Sequence, residues 1–156
     1  MSKETYKRLA GEGHLFTAAL DGLDGSGKGS CTDTLAQKIA EQGYNVLKID
    51  YPQYETAWGR FLTHLLRESD EGLDIEQRMA VYAANRLETV IPIWRYVERL
   101  AKKNELPIHL LFDRYVTSNI LTLAYYHASE QDSVVPQDLI KKYYDLFLAG
   151  RWVICT

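Results

Sequence analysis

Short apolar runs alternate with longer amphipathic stretches along this chain. Residues 14–21 hold Leu15, Phe16, Ala18, Ala19 and Leu20 and predict a first strand. Residues 29–42 read as a helix through the run Thr34 to Ala40, and Gly43 suits its C-terminal cap. Val46 to Tyr51 is a second short strand, stopped by Pro52. Ala57 to Arg67 is helical, with Phe61, Leu62, Leu65 and Leu66 on one face. After a polar break at Ser69 to Gly72, residues 74–103 keep apolar positions such as Met79, Tyr82, Ile93, Val97 and Leu100 at three- and four-residue steps. Pro92 should kink or split that long helix. Ile108 to Phe112 is a third strand ending in Asp113, helices are predicted at about 116–129 and 136–148, and Arg151 to Cys155 reads as a fourth strand.

Strands alternating with helices predict an α/β fold, a parallel β-sheet with helices on both faces. Residues 14–156 are expected to form one domain, and the polar, mixed-charge residues 1–13 a loose N-terminal extension. Ligands of such sheets bind beyond the carboxyl ends of the strands. The loop at 22–29, Tyr51 and Asp113 all fall there.

The chain of 156 residues is 46% hydrophobic, enough for a real core. Its net charge of −3 argues against a broad nucleic-acid face, so anions must be bound at a focused site. Cys31 and Cys155 lack metal-type spacing and fit a reducing cytoplasm. The N-terminus lacks a secretory pattern and no run reaches the ~18 apolar residues of a membrane span.

Chemistry concentrates first at Leu20 to Ser30, LDGLDGSGKGS. Strand, glycine-rich turn, lysine and helix in that order form a phosphate-binding loop. Gly22, Gly25, Gly27 and Gly29 leave room for backbone amides to converge on phosphate oxygens, and the helix adds its positive end. Lys28 brings a full charge to the β- and γ-phosphates of a nucleoside triphosphate. ATP contacts are expected from Gly22, Asp24, Gly25, Ser26, Gly27, Lys28, Gly29, Ser30 and Cys31. The position after the lysine, where most such loops hold a Mg²⁺-binding hydroxyl, is Gly29, and the hydroxyl comes one residue later at Ser30. That GKG-S variant resembles nucleoside monophosphate kinases, where Mg²⁺ is held largely by phosphates and waters.

A second cluster follows the third strand. Asp113 is a candidate Mg²⁺-side carboxylate, with Ser30 as the other candidate, each directly or through water. Arg114 can grip a second phosphate with its planar fork. Tyr82 and Arg86 share a helix face and can stack on and hydrogen-bond a base, although aromatics at this spacing also serve as core. Ser118 and Asn119 open the next helix, and Asn119 can offer a donor and an acceptor to a base edge.

GLDGSGKGS, the YP after the second strand, YAANR on the long helix and DRYVTSN after the third occur in that order. Together they resemble the thymidylate kinase family over about residues 14–130. The resemblance implies a P-loop monophosphate kinase fold, transfer of phosphate from ATP to dTMP with Mg²⁺, and a cytoplasmic homodimer with no nucleic-acid or membrane partner. It also implies roles for residues. Asp24 matches the loop carboxylate aimed at the sugar and phosphate side, Lys28 the loop lysine, and Tyr51 an aromatic flanking the nucleotide. Tyr82 falls at the thymine-stacking position, Arg86 at the thymine edge, Arg114 on the monophosphate, and Ser118 and Asn119 along the base pocket. Lys28, Asp24 and Arg114 are the expected catalytic set.

The chain departs from the family pattern at several points. Gly25 stands where a subgroup has a catalytic arginine, Tyr54 near where many members bind the monophosphate through arginine, and Thr122 where an aromatic often lies near the sugar. The chain stops at Thr156, before a lid or C-terminal helices, and is expected to be a fragment with weak or no turnover alone. Two alternatives stay open: a kinase for another nucleotide or nucleoside, and a nucleotide-binding relative that transfers nothing. A switch GTPase fits poorly, because Gly29 removes the hydroxyl such switches use.

Overall fold

The computed structural model describes residues 3–22, 25–68, 73–121, 137, 138 and 141. Its elements are α1 (Lys3–Gly11), β1 (Leu15–Leu20), α2 (Lys28–Glu41), β2 (Asn45–Asp50), α3 (Ala57–Glu68), α4 (Ile75–Lys103) and β3 (Ile108–Asp113). Residues 116–121 are also helical. The chain divides into two compact units, Met1–Tyr51 with Thr89–Arg114, and Pro52–Glu88 with Tyr115–Thr156.

The first unit holds a parallel sheet of order β1-β3-β2. Strand β3 is central, and Ile108, Leu110, Leu111 and Phe112 on it are buried. A strand covered on both faces loses the polar alternation of a half-exposed one, which fits IHLLF, where the half-buried His109 is the one break in the apolar run. Leu20 and Asp50 both stand opposite Asp113, so the three strands finish level. Helix α2 packs on β2 and β3. It ends as its sequence predicts, with Gly43 left-handed at φ 83° and its amide bonded to Ala40 O at 2.9 Å. Lys48 Nζ ties α2 to the sheet, 2.5 Å from Asp33 Oδ1 and 3.2 Å from Asp50 Oδ1. The hydrogen bond to Asp33, helped by Asp50, raises the Lys48 pKa above the ordinary lysine value against the opposing pull of desolvation.

One expectation needs correction and another is narrowed. The N-terminal residues are not a loose extension: Lys3–Gly11 is a helix packed on β1, with Leu9 buried and Tyr6 edge-on to Trp94 at 5.9 Å. Polar composition concealed it because one apolar side and one aromatic suffice to dock two turns. Of the two outcomes expected at Pro92, a kink or a split, the split does not occur: α4 runs from Ile75 to Lys103 with Pro92 inside it. Met79, Ile93, Val97 and Leu100 on it are buried, as their spacing predicts.

The second unit joins α3 and the first half of α4 through a polar brace. Asn85, only 1% exposed, accepts from the Gln53 amide at 3.0 Å and donates to Gln53 O and Thr56 Oγ1, both at 2.9 Å. Gly59 in α3 allows this close approach, because a Cβ there would fall 1.8 Å from Gln53 O. The predicted break at 69–72, the fourth strand at 151–155, residues 122–130 and most of the 136–148 helix lie outside the described residues.

Candidate functional site: a phosphate loop and a buried arginine–asparagine pair

In the first unit the chain leaves β1, crosses the glycine loop and enters α2. Gly25 and Gly27 have φ of 76° and 83°, a region that residues with a Cβ rarely adopt. Gly27 is the N-cap of α2 and, being glycine, brings no side chain of its own to cap it. A helix begun this way directs its first-turn amides and the positive end of its dipole toward the loop. The stem of Lys28 lies along the loop: a Cβ on Gly22 would sit 3.4 Å from Lys28 Cδ and 3.1 Å from Ser26 Oγ. Behind the loop Thr32 is fully buried and its hydroxyl donates to Lys28 O at 2.8 Å, which anchors the first turn. Ser30 and Cys31 are exposed, and Cys31 is a free thiol.

Asp113 and Arg114 come to this same loop. Asp113 Oδ2 is 3.2 Å from the point a Gly29 Cβ would occupy. Arg114 is left-handed at φ 66°, a conformation costing an ordinary side chain on the order of 1–3 kcal/mol. Its amide donates to Leu20 O at 2.9 Å, and its Nη1 reaches Gly22 O at 3.4 Å. The turn thus keeps the guanidinium beside the loop rather than letting it follow the strand. No group of three His, Cys, Asp or Glu among the described residues could hold a metal alone. One hard carboxylate beside a phosphate loop nonetheless fits Mg²⁺, which prefers one or two carboxylates, phosphate oxygens and water.

Tyr51 has a packing role in the first unit. It is buried, its ring stacks on Phe112 at 6.1 Å and its hydroxyl is 2.7 Å from Thr89 Oγ1. Asp24 lies outside the described residues.

In the second unit Arg86 is 9% exposed and Tyr82 half-buried, one turn apart on α4. Ser118 and Asn119 are buried on the helix at 116–121. With its amide turned so that oxygen faces the guanidinium, Asn119 accepts from Arg86 Nη1 and, at 3.3 Å, from Nη2. The expected base-reading pair is therefore a mutual pair: the Asn119 carbonyl is committed to orienting Arg86.

Sequence reasoning passed over Asn85, Glu88 and Thr56. Glu88 accepts from the Ala57 and Trp58 amides, each at 3.1 Å, and Thr56 Oγ1 accepts from the Gly59 amide at 3.0 Å. The Trp58 amide first, then the Thr56 hydroxyl, the Ala57 amide and the Arg60 charge hold the Glu88 carboxyl below its ordinary value, against some desolvation. The start of α3 is thereby closed to any outside anion. Thr56 just before an apolar helical run was the available signal, since that is where N-caps stand.

A parallel sheet with a glycine loop at the end of β1, a lysine opening the next helix and a carboxylate–arginine pair ending the central strand defines an α/β P-loop fold of the nucleoside monophosphate kinase type. The family model of thymidylate kinase matches residues 20–151. Thymidylate kinase from Ehrlichia chaffeensis superposes with a TM-score of 0.59 at 24% identity, covering 85% of this chain and 65% of that one. The enzyme from Candida albicans does so with a TM-score of 0.54 at 23% identity, covering 87% and 56%. No curated protein matches by sequence. The chain belongs to the thymidylate kinase family, and it spans under two thirds of the length of these two solved relatives.

Proposed function

We propose that this chain carries the donor loop and acceptor residues of an enzyme that transfers the γ-phosphoryl group of ATP to dTMP. The observation that carries the reading is the meeting, in one unit, of the Lys28 loop with Asp113 and Arg114. Phosphoryl transfer passes through a loose transition state, so catalysis is positioning and charge stabilisation. The loop amides and Lys28 hold the donor phosphates, and the family resemblance assigns Asp24 to the sugar side. Arg114 places the acceptor phosphate and offsets its charge. Asp113, with Ser30 as the hydroxyl nearest in sequence, would hold Mg²⁺, which when bound neutralises the donor phosphates. Arg86, oriented by Asn119, reads the pyrimidine edge, Ser118 lies along the base, and Tyr82 stacks on it. Tyr51, held by Phe112 and Thr89, is the aromatic assigned to flank the nucleotide.

The reading includes a cytoplasmic homodimer acting on a small nucleotide. An exposed free thiol supports a reducing setting, and no helix among the described residues is long and apolar enough to cross a membrane. Trp58, Phe61 and Leu66 leave exposed apolar surface on α3 that a second copy would cover.

A coupled kinase assay with ATP and a panel of monophosphates tests this. dTMP should be the preferred acceptor, and Arg114→Ala should lower its turnover by about 100-fold, the scale of losing one transition-state donor. Equal turnover in the variant removes Arg114 from the acceptor site. Preference for a purine monophosphate or an unphosphorylated nucleoside overturns the thymidylate assignment. Tight ATP binding with no transfer, in this chain and in a longer one with a lid, leaves a nucleotide-binding relative.

A further inference from the structure

We infer that Gly29 is a positioning residue for Asp113, its missing side chain being what lets the carboxylate seat against the first turn of α2. Gly29 lies inside the helix without a positive φ, so local backbone conformation does not call for glycine. Glycine within a helix is in fact less favourable than alanine. Beyond its own helical turn, a Cβ at position 29 would meet one described atom within 4 Å, Asp113 Oδ2 at 3.2 Å. The same construction at Gly25 and Gly27 meets nothing within 4 Å, and their positive φ accounts for them. Among the described atoms, the Asp113 carboxylate is thus the neighbour that a side chain at Gly29 would displace.

The carboxylate must give way if a side chain appears there, because its backbone cannot. Asp113 ends the central strand, in register with Leu20 on one side and Asp50 on the other. A shift of a few tenths of an ångström matters to Mg²⁺, which demands near-ideal octahedral geometry and short oxygen contacts. Where other phosphate loops present a hydroxyl after the lysine, this loop withdraws its side chain and leaves that side of the site to Asp113. The inference rests on the reading that the start of α2 binds a magnesium nucleotide.

The test measures ATP affinity by calorimetry, with Mg²⁺ and with EDTA, for wild type, Gly29→Ala, Asp113→Ala and the double variant. The readout is the gain in affinity that Mg²⁺ confers, together with the thermal midpoint of each ligand-free protein. Gly29→Ala should cut that gain by about fivefold, the scale of coupling between touching residues, with a midpoint at or above wild type. Added to Asp113→Ala, it should change the gain by less than about twofold. A full magnesium gain in Gly29→Ala, an equal loss in both backgrounds, or a lowered midpoint overturns the inference. Wild type that binds ATP in neither condition overturns the phosphate-loop reading, and this inference with it.

Discussion

Two helices in this molecule begin in opposite ways. α2 starts at Gly27 with no side-chain cap and a lysine as its first residue. α3 starts behind Thr56, with its first two amides taken by Glu88 and its third by the Thr56 hydroxyl. Both ends carry the same orphan donors and the same partial positive charge. At α3 described side chains satisfy these donors and add stability. At α2 the N-cap residue has no side chain that could do so, and the proposed function gives those donors to phosphate. A helix N-terminus is therefore informative about binding only after its caps have been counted.

The comparison predicts that substitutions will sort into two groups. Asn85→Ala should have the largest effect. It strips the half-buried Gln53 amide of its side-chain acceptor, while Gln53 O keeps the Thr56 hydroxyl, and leaving one such donor unpaired costs about 1–3 kcal/mol. Urea unfolding should show a loss of about 2 kcal/mol, and ATP titration of the folded variant an affinity near wild type. A stable variant would mean that the brace is dispensable. Lys28→Ala should behave oppositely, with ATP affinity falling about 10- to 100-fold, as for a lost charged hydrogen bond, and little change in the unfolding midpoint. Equal ATP binding would remove the lysine from the phosphates.

Thr56→Ala sharpens the closed end, since losing an N-cap costs about 1 kcal/mol. The effect on ATP affinity should be negligible. The smallest effect concerns pH. The Glu88 carboxyl is held below its ordinary value of about 4.5 by the α3 amides, so its contribution is complete above about that pH. It is lost as pH falls through the lower folded value. Glu88→Gln should flatten the dependence of unfolding free energy on pH below about 4.5 and leave the neutral-pH dependence unchanged. An unaltered acid limb would mean that the capping bonds do not distinguish the charged carboxylate from its neutral form.

The open end of α2 is legible in the order of its residues, and the closed end of α3 is not. Phosphate-loop chemistry is local: strand, glycines, lysine and helix lie within a dozen residues, so they stand side by side along the chain. The same holds for DRY after the third strand and for Gly43 at the end of α2. The α3 cap draws Glu88 from 30 and 31 residues away and the brace draws Asn85 from 32, separations at which nothing in composition marks a partner. The Tyr51 partners were not legible for the same reason, because an aromatic at a strand end carries no mark of the Phe112 ring or the Thr89 hydroxyl that it meets.

By itself, then, the sequence determined the alternation of elements, the phosphate loop, the identities of Lys28, Asp113 and Arg114, and the family they point to. Tertiary structure alone decided that β3 runs between β1 and β2, that Arg114 turns left-handed toward Gly22, that Asn119 is committed to Arg86, and that Gly29 makes way for a carboxylate. The physical reason is range. Backbone preference and hydrophobic period act over a few residues and leave a readable trace. Hydrogen-bond partners and steric clearances are set by whichever distant segment folding brings within about 3 Å, and that choice is made by the packed whole.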